Sequence, residues 1–265
     1  MGICQDKATT YLKKLGYNVV RVPQEGIDPL TLIGVQNDAV INLGPLNLLI
    51  TNPPGALPAI TRDQNAADIN GQSTSKLDVG VGLDILGGVI GAMGGNLGVT
   101  TKYQQTQKLQ FSFSDVLTDS VVPLEVGNYL RSAVVDQNNV ILKEYILGKA
   151  QLYLITKTLK SKKFTVKSER KDGTEVKLDV PAIKGVVGAK VTVGSDSEQA
   201  ATVTFAGLAN LTFGFQAFFV GISDGDLTML SASPGDVAMA LTATNDAEPA
   251  LLGGERVDEV RAWGS

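Results

Sequence analysis

Two runs of strict alternation constrain this chain more than any other feature. Leu77, Val79, Val81, Leu83 and Ile85 are spaced by Asp78, Gly80, Gly82 and Asp84. Farther on, Leu97, Val99, Thr101 and Tyr103, then Leu109, Phe111 and Phe113, share one side, opposite Gly98, Thr100, Lys102, Gln104, Lys108, Gln110 and Ser112. A period of two puts apolar groups on one face of a strand and polar or bare positions on the other. The stretch between the runs holds Gly87, Gly88, Gly91, Gly94, Gly95 and Gly98. The pattern therefore predicts two long strands joined by an apolar, glycine-rich link.

A second alternating pair follows. Phe164, Val166 and Ser168 alternate with Lys163, Thr165, Lys167 and Glu169. Asp172-Gly173 marks a tight turn, and Val176, Leu178 and Val180 alternate with Glu175, Lys177 and Asp179. Other strands are expected at Tyr17–Val22, Ala39–Ile41, Leu46–Thr51, Lys190–Val193, Ala201–Phe205, Leu211–Ile222 and Leu227–Ser231. Short helices are expected at Asp6–Leu15, Pro123–Val134, Val140–Leu147 and Pro181–Val187, with 115–147 mainly helical. The fold class is α+β: a twisted, mostly antiparallel central sheet with short helices around it.

Composition narrows the chemistry. The chain has 265 residues, 43% of them hydrophobic and 19% charged, enough for a sizeable core. It has no histidine, which removes Ser-His-Asp, Cys-His and histidine-ligated metal sites. Its one cysteine, Cys4, excludes an internal disulfide and a thiolate-built metal cluster. No G-x-S-x-G elbow, P-loop or dinucleotide fingerprint is present, so no catalytic residue and no metal ligand is assigned. A Ser-Lys enzyme stays formally open. With a net charge of −4, nucleic acid is not an expected partner. Met1–Lys14 lacks the apolar run of a secretory signal, so a cytosolic start is expected.

Such strands have two readings. They either lie on an ordinary sheet, apolar side inward, or later span a bilayer with lipid on one face and an aqueous lumen on the other. A spanning strand takes about 9–11 residues, and both runs of the first pair are long enough. Unpaired backbone in lipid costs several kcal/mol per group, so spanning requires a closed ring of many subunits. Between Lys143 and Lys190 twelve basic residues against five acidic ones leave +7 in an acidic chain. That excess is either a solvated face or an attraction to anionic headgroups. Cys4, in Met1-Gly2-Ile3-Cys4, is a better lipid acceptor than Gly2, because Asp6 stands where myristoylation prefers Ser or Thr.

The runs Tyr11–Leu30, Pro58–Gln72 and Gly207–Phe219 resemble bacterial gasdermins, and the similarity extends over residues 1 to about 241. The resemblance implies a fold similar to the gasdermin N-terminal pore-forming domain over 1–241, with a linker and short autoinhibitory peptide over 242–265. It implies that proteolytic removal of the peptide lets the protein oligomerise and permeabilise the bacterial inner membrane, killing the cell in phage defence. The first inserting hairpin would carry Leu77, Val79, Val81, Leu83, Ile85, Leu97, Val99, Phe111 and Phe113. The second would carry Phe164, Val166, Val176, Leu178, Val191, Val193, Val203 and Phe205. Cys4 would carry a palmitoyl chain, with no other cofactor. In the tail Leu251, Leu252, Val257, Val260 and Trp263 form an apolar set suited to pack on the body. Asp246, Leu251, Leu252 and Arg256 are cleavage candidates for a caspase-like or other protease, expected to be encoded nearby. The resting form would be a cytoplasmic monomer, and the cleaved form a homo-oligomer in inner-membrane lipid. The competing reading is a non-enzymatic structural or scaffold protein. Intact mass separates the two: a palmitate-sized increment lost on Cys4→Ala belongs to the pore former.

Overall fold

Two long antiparallel strands form the spine of the sheet, and shorter strands are laid end to end along each side of it. The computed structural model describes residues 16–36, 39–66, 75–78, 86, 87, 89–96, 103, 105–187, 189–223 and 226–231. The spine is β10 (Gln151–Glu169) and β14 (Thr202–Ser223), paired from Tyr153↔Phe219 to Lys167↔Thr202. The free side of β10 takes β2 (Thr31–Gln36), then β8 (Leu117–Val121), then β7 (Lys108–Ser114). The free side of β14 takes β15 (Asp226–Ser231), β1 (Asn18–Gln24) and β12 (Thr192–Gly194). Outermost are β3 (Ala39–Pro45) on β2, β5 (Ile60–Asn65) on β8 and β6 (Ser75–Asp78) on β7. All these pairings are antiparallel, so the mostly antiparallel sheet read from the sequence is the sheet found. Two small ribbons, β4 (Ile50–Asn52) with β9 (Val134–Val135) and β11 (Leu178–Asp179) with β13 (Gln199–Ala200), complete the strands.

Helices α1 (Pro123–Arg131), α2 (Lys143–Ile146) and α3 (Val180–Val187) pack around this sheet. Pro123 opens α1, where its missing N–H costs nothing. Val126, Tyr129 and Leu130 bury the face of α1 that meets the cluster of Leu32, Leu46, Leu49, Leu152 and Leu154. On the other face of the same end, Val20, Ile33, Tyr153, Ile155 and Phe215 form a second core. With both faces covered, the first half of β10 is buried almost continuously, Leu152 to Ile155. That burial removes the alternation that would have marked it as a strand.

Several local expectations change. Leu46–Thr51 is not one strand: Leu46–Leu49 forms a 3-10 turn, with Leu46 and Leu49 on one buried side, before β4 begins. The region 115–147 is not mainly helical. It contains β8 and β9, α1 stops at Arg131, and α2 is a single turn. The side chains of Asp136 and Asn139 accept N–H bonds from Asn138 (3.1 Å) and Ile141 (3.0 Å), closing turns where a longer helix was expected. The strand expected at Tyr17–Val22 runs on through Pro23, which sits in an irregular stretch of the β1–β14 pairing. Ala201–Phe205 and Leu211–Ile222 are parts of one strand, β14.

The glycine-rich link is helical at 86, 87 and 89–92. Leu86, Val89, Ile90 and Met93 stand three or four apart and are all buried, which is helical spacing. The turn at Asp172-Gly173 exists: Gly173 has φ 88°, and Thr174 N–H donates to the Asp172 carboxylate (2.9 Å), which holds that carboxyl below its ordinary value. The return strand does not fold back on Phe164–Ser168 as expected, because β7 and β14 already occupy both sides of that part of β10. The turn is closed by the bridge Glu169↔Glu175 and by backbone bonds from Arg170 N–H to the Thr174 carbonyl (2.8 Å), Gly173 N–H to the Arg170 carbonyl (3.1 Å) and Val176 N–H to the Ser168 carbonyl (3.0 Å), and the chain then pairs as β11 with β13.

Candidate functional site

The second-hairpin residues come together in one place. Phe164, Val166, Leu178, Val191, Val193, Val203 and Phe205 are buried and belong to a single cluster, and Val176 is buried outside it. The cluster also takes Leu109 from the first hairpin. It is covered by Leu86, Val89, Ile90 and Met93 of the helical link and by Val180, Ile183 and Val187 of α3. The two covering segments touch: Asn96 N–H donates to the Val187 carbonyl (2.9 Å). Phe113 packs on the rim of this cluster and also stacks on Phe213, with ring centroids 4.0 Å apart. Leu77 lies in β6 opposite Leu109, and Phe111 in β7 opposite Val166 and Ser75. Val79, Val81, Leu83, Ile85, Leu97 and Val99 lie outside the described residues. So do Cys4, Asp246, Leu251, Leu252, Arg256, Val257, Val260 and Trp263.

Four of the five lysines of β10 have a partner among the described residues. Along β10, Lys163 Nζ meets Asp115 (2.9 Å), and Lys167 Nζ meets Glu175 (2.8 Å) and Glu169 (3.5 Å). The bond to Glu175, with the charge of both glutamates, holds Lys167 above the ordinary lysine value. Lys157 stands over the Tyr17 ring, 5.6 Å from its centroid. Lys162 is exposed.

Lys160 belongs to a charged hub at the sheet edge. Asp119, on β8, is fully buried. Its carboxylate accepts from Lys160 Nζ (2.7 Å), Arg62 Nη1 (3.1 Å) and the Asp63 N–H (2.8 Å). Lys160 also meets Asp63 (2.9 Å), and Arg62 meets Asp28 (2.8 Å). Burial pulls Lys160 down, but the hydrogen bonds and charges of Asp119 and Asp63 outweigh it and hold its pKa above the ordinary 10.5. Asp63 has φ 57° where the β5–β8 register shifts, and this conformation aims its N–H at Asp119. The hub escaped sequence reading because its members are spread from Asp28 to Lys160. The one available signal was Asp119 itself, an acid on the same alternation as Leu117 and Val121. The helical link was also missed, although its spacing of 86, 89, 90 and 93 was present to be read.

Four buried hydroxyls have no hydrogen-bond partner among the described residues: Tyr103, Thr106, Thr158 and Ser168. Burial alone pushes the Tyr103 phenol well above its ordinary range. The arrangement offers apolar strand faces under a helical cover, and paired lysines on the other face.

Comparison with known proteins places this arrangement. The model of the Bacterial Gasdermin Family matches residues 20–226. A gasdermin, bGSDM, from Vitiosangium sp. (strain GDMCC 1.1324) is 49% identical over 249 residues, 94% of each chain. Another from a Desulfuromonadales bacterium is 38% identical over 86% of each. The solved structure of a bacterial gasdermin from Bradyrhizobium tropiciagri superposes with a TM-score of 0.60 at 18% identity, covering 88% of this chain and 95% of that one; it shares the fold.

Proposed function

The chain belongs to the bacterial gasdermin family, and on that premise we propose that it is an autoinhibited pore-forming protein whose work is mechanical rather than catalytic. The observation that carries the reading is the position of the two candidate inserting segments. Both supply strands to the same end of the sheet, and Leu109 and Phe113 of the first pack with the buried apolar side chains of the second in one cluster. An apolar strand face that is to meet lipid must first be hidden from water, and here α3 and the helical link hide it.

The short strands at that end, β6, β7 and β12, cannot cross as they stand. β7 has seven residues, against the roughly 9–11 that a tilted spanning strand takes. Insertion therefore requires them to lengthen at the expense of the neighbouring helical segments, and to close into a multi-subunit ring with no open edge. In this reading residues 242–265 hold the body in the resting monomer, and Leu251, Leu252, Val257, Val260 and Trp263 make the contact. A protease cuts in that region, at Asp246, Leu251, Leu252 or Arg256. A palmitoyl chain on Cys4 adds membrane affinity of about 0.8 kcal/mol per buried methylene. The target is the bacterial inner membrane, and the outcome is cell death that limits phage.

Truncation after Ala250 tests this. The shortened chain is expected to release dye from anionic liposomes and to be toxic when expressed, and the full chain to do neither. A truncated protein that stays soluble and inert on those liposomes overturns the reading.

A further inference from the structure

The sheet is creased along one line, and the crease separates the candidate inserting strands from everything else. On β10 the line falls at 161–162. On one side, pairing with β8 ends at Lys160↔Leu117 and pairing with β7 resumes at Lys163↔Ser114, leaving Asp115 and Val116 unpaired in register. Asp115 is left-handed there, with φ 52°, which a residue with a side chain adopts at a cost. On the other side, Ser161↔Leu211 is followed by Lys163↔Ala206, so residues 207–210 of β14 bulge out. Leu208, in that bulge, is 85% exposed although it is a large apolar side chain. Three adjacent strands thus lose register at one level. Such irregularities bend and twist a sheet.

The crease has its own fastening. Ser161 stands where the ladder is broken. Its hydroxyl donates to the Ser114 carbonyl, lies within bonding distance of the Lys163 carbonyl (3.0 Å), and accepts the Lys163 N–H (2.9 Å). Lys163 Nζ reaches Asp115 (2.9 Å) across the same gap. Phe113 stacks on Phe213 and tilts against Phe164 (5.4 Å), bridging the two sides. Met93 of the helical link lies on Gly207 of the bulge, where a Cβ would come within 3.0 Å of its side chain. Beyond the line lie β6, β7, β12 and the ends of β10 and β14. That part also holds three of the four partnerless buried hydroxyls, Tyr103, Thr106 and Ser168, which marks it as the less well satisfied part of the described fold.

We infer that this line is a built hinge. The distal strands turn about 115–116, 161–162 and 207–210 as one unit, and the Ser161 hydroxyl with the Lys163–Asp115 pair is the catch that keeps them folded back. The inference rests on the pore-forming reading for its purpose but not for its test. Straightening at the hinge would merge β7 with β8 and draw the bulge into β14, giving continuous strands of the length that crossing needs.

Hydrogen exchange on the full-length protein tests the hinge without a membrane. Ser161→Ala removes the hydroxyl, and Lys163→Gln, the milder change, removes only the ion pair. Each is expected to speed exchange distal to the line, at 75–78, 108–114, 163–169, 192–194 and 202–206. The Ser161→Ala increase should be about fivefold to tenfold, the weight of one or two hydrogen bonds. Exchange at 31–36, 117–121 and 151–160 should change less than about twofold in both. Thr118→Val, which removes the buried bond from the Thr118 hydroxyl to the Thr158 carbonyl (2.9 Å), serves as a control and should not favour the distal strands. Equal acceleration on both sides in both variants, or none in either, overturns the hinge. Polarised exchange combined with a truncated chain that leaks no dye would keep the hinge and overturn the pore instead.

Discussion

Replacing Asp119 by Asn tests the hub. The side-chain oxygen can still accept the Asp63 N–H, but an amide nitrogen would then face Lys160 Nζ and Arg62 Nη1, donor against donor. Removing one partner of a buried ion pair costs about 3–5 kcal/mol, because the other charge stays buried without compensation. Here the low end applies. Lys160 keeps the exposed Asp63, and Arg62 keeps Asp28. The expected loss is therefore about 3 kcal/mol, or roughly 6–12 °C in melting temperature at 2–4 °C per kcal/mol. Urea unfolding should show the midpoint falling with an unchanged slope. The double variant Asp119→Leu, Lys160→Met should recover part of the loss, since neither charge is then left alone. Alkaline pH supplies a second readout with a definite sign. Because the folded protein raises the Lys160 pKa, its stabilisation is fully present below the ordinary lysine value of 10.5 and is lost as pH rises through the raised one. Wild type and Lys160→Met should thus converge only at the alkaline extreme. A loss under about 1 kcal/mol for Asp119→Asn, or single-variant losses that simply add in the double variant, would refute the account of the hub.

Two further substitutions probe the two ends of the sheet separately. Tyr103→Phe removes a buried hydroxyl that has no partner among the described residues and should stabilise the protein by about 1 kcal/mol, read from urea midpoints; a loss of that size would mean that the hydroxyl is in fact bonded. Gly34→Ala, on β2, would place a methyl 1.9 Å from the Tyr145 hydroxyl oxygen and 2.6 Å from the ring carbon that bears it. Tyr145 is itself buried in the core under α1, so the whole ring must shift; the expected cost is about 1–3 kcal/mol, and a neutral result would show that α2 gives way freely.

What could be read from the sequence divides by the range of the forces involved. Strands with one wet face, such as Lys163–Glu169, kept their alternation and were legible. So was α3, with Pro181 in its first turn and buried positions at Val180, Ile183 and Val187. Strands buried on both faces were not. Gln151–Leu159 and Thr31–Val35 lie beneath cores on both sides of the sheet, and nothing in their own residues tells such a strand from any apolar run. The hub was invisible for a different reason: its pairing joins Asp28, Arg62, Asp63, Asp119 and Lys160 across several strand crossings, and no local spacing encodes it.

The most informative mismatch is the segment from Leu77 to Phe113. Its flanks alternate with period two, yet Leu86, Val89, Ile90 and Met93 between them take the helical period and are buried as a helix would bury them. One stretch thus carries a strand pattern at its ends and a helix pattern at its centre. The turn Asp172-Gly173 shows a related conflict, since its two arms alternate as a hairpin would while β7 and β14 already occupy both sides of the first arm. Sequences whose levels disagree in this way are expected where a second arrangement must also be accessible. Both conflicts fall beyond the crease at Ser161, and together with the three partnerless hydroxyls they put the unsatisfied part of the described fold on the side of the hinge that the proposed function requires to move.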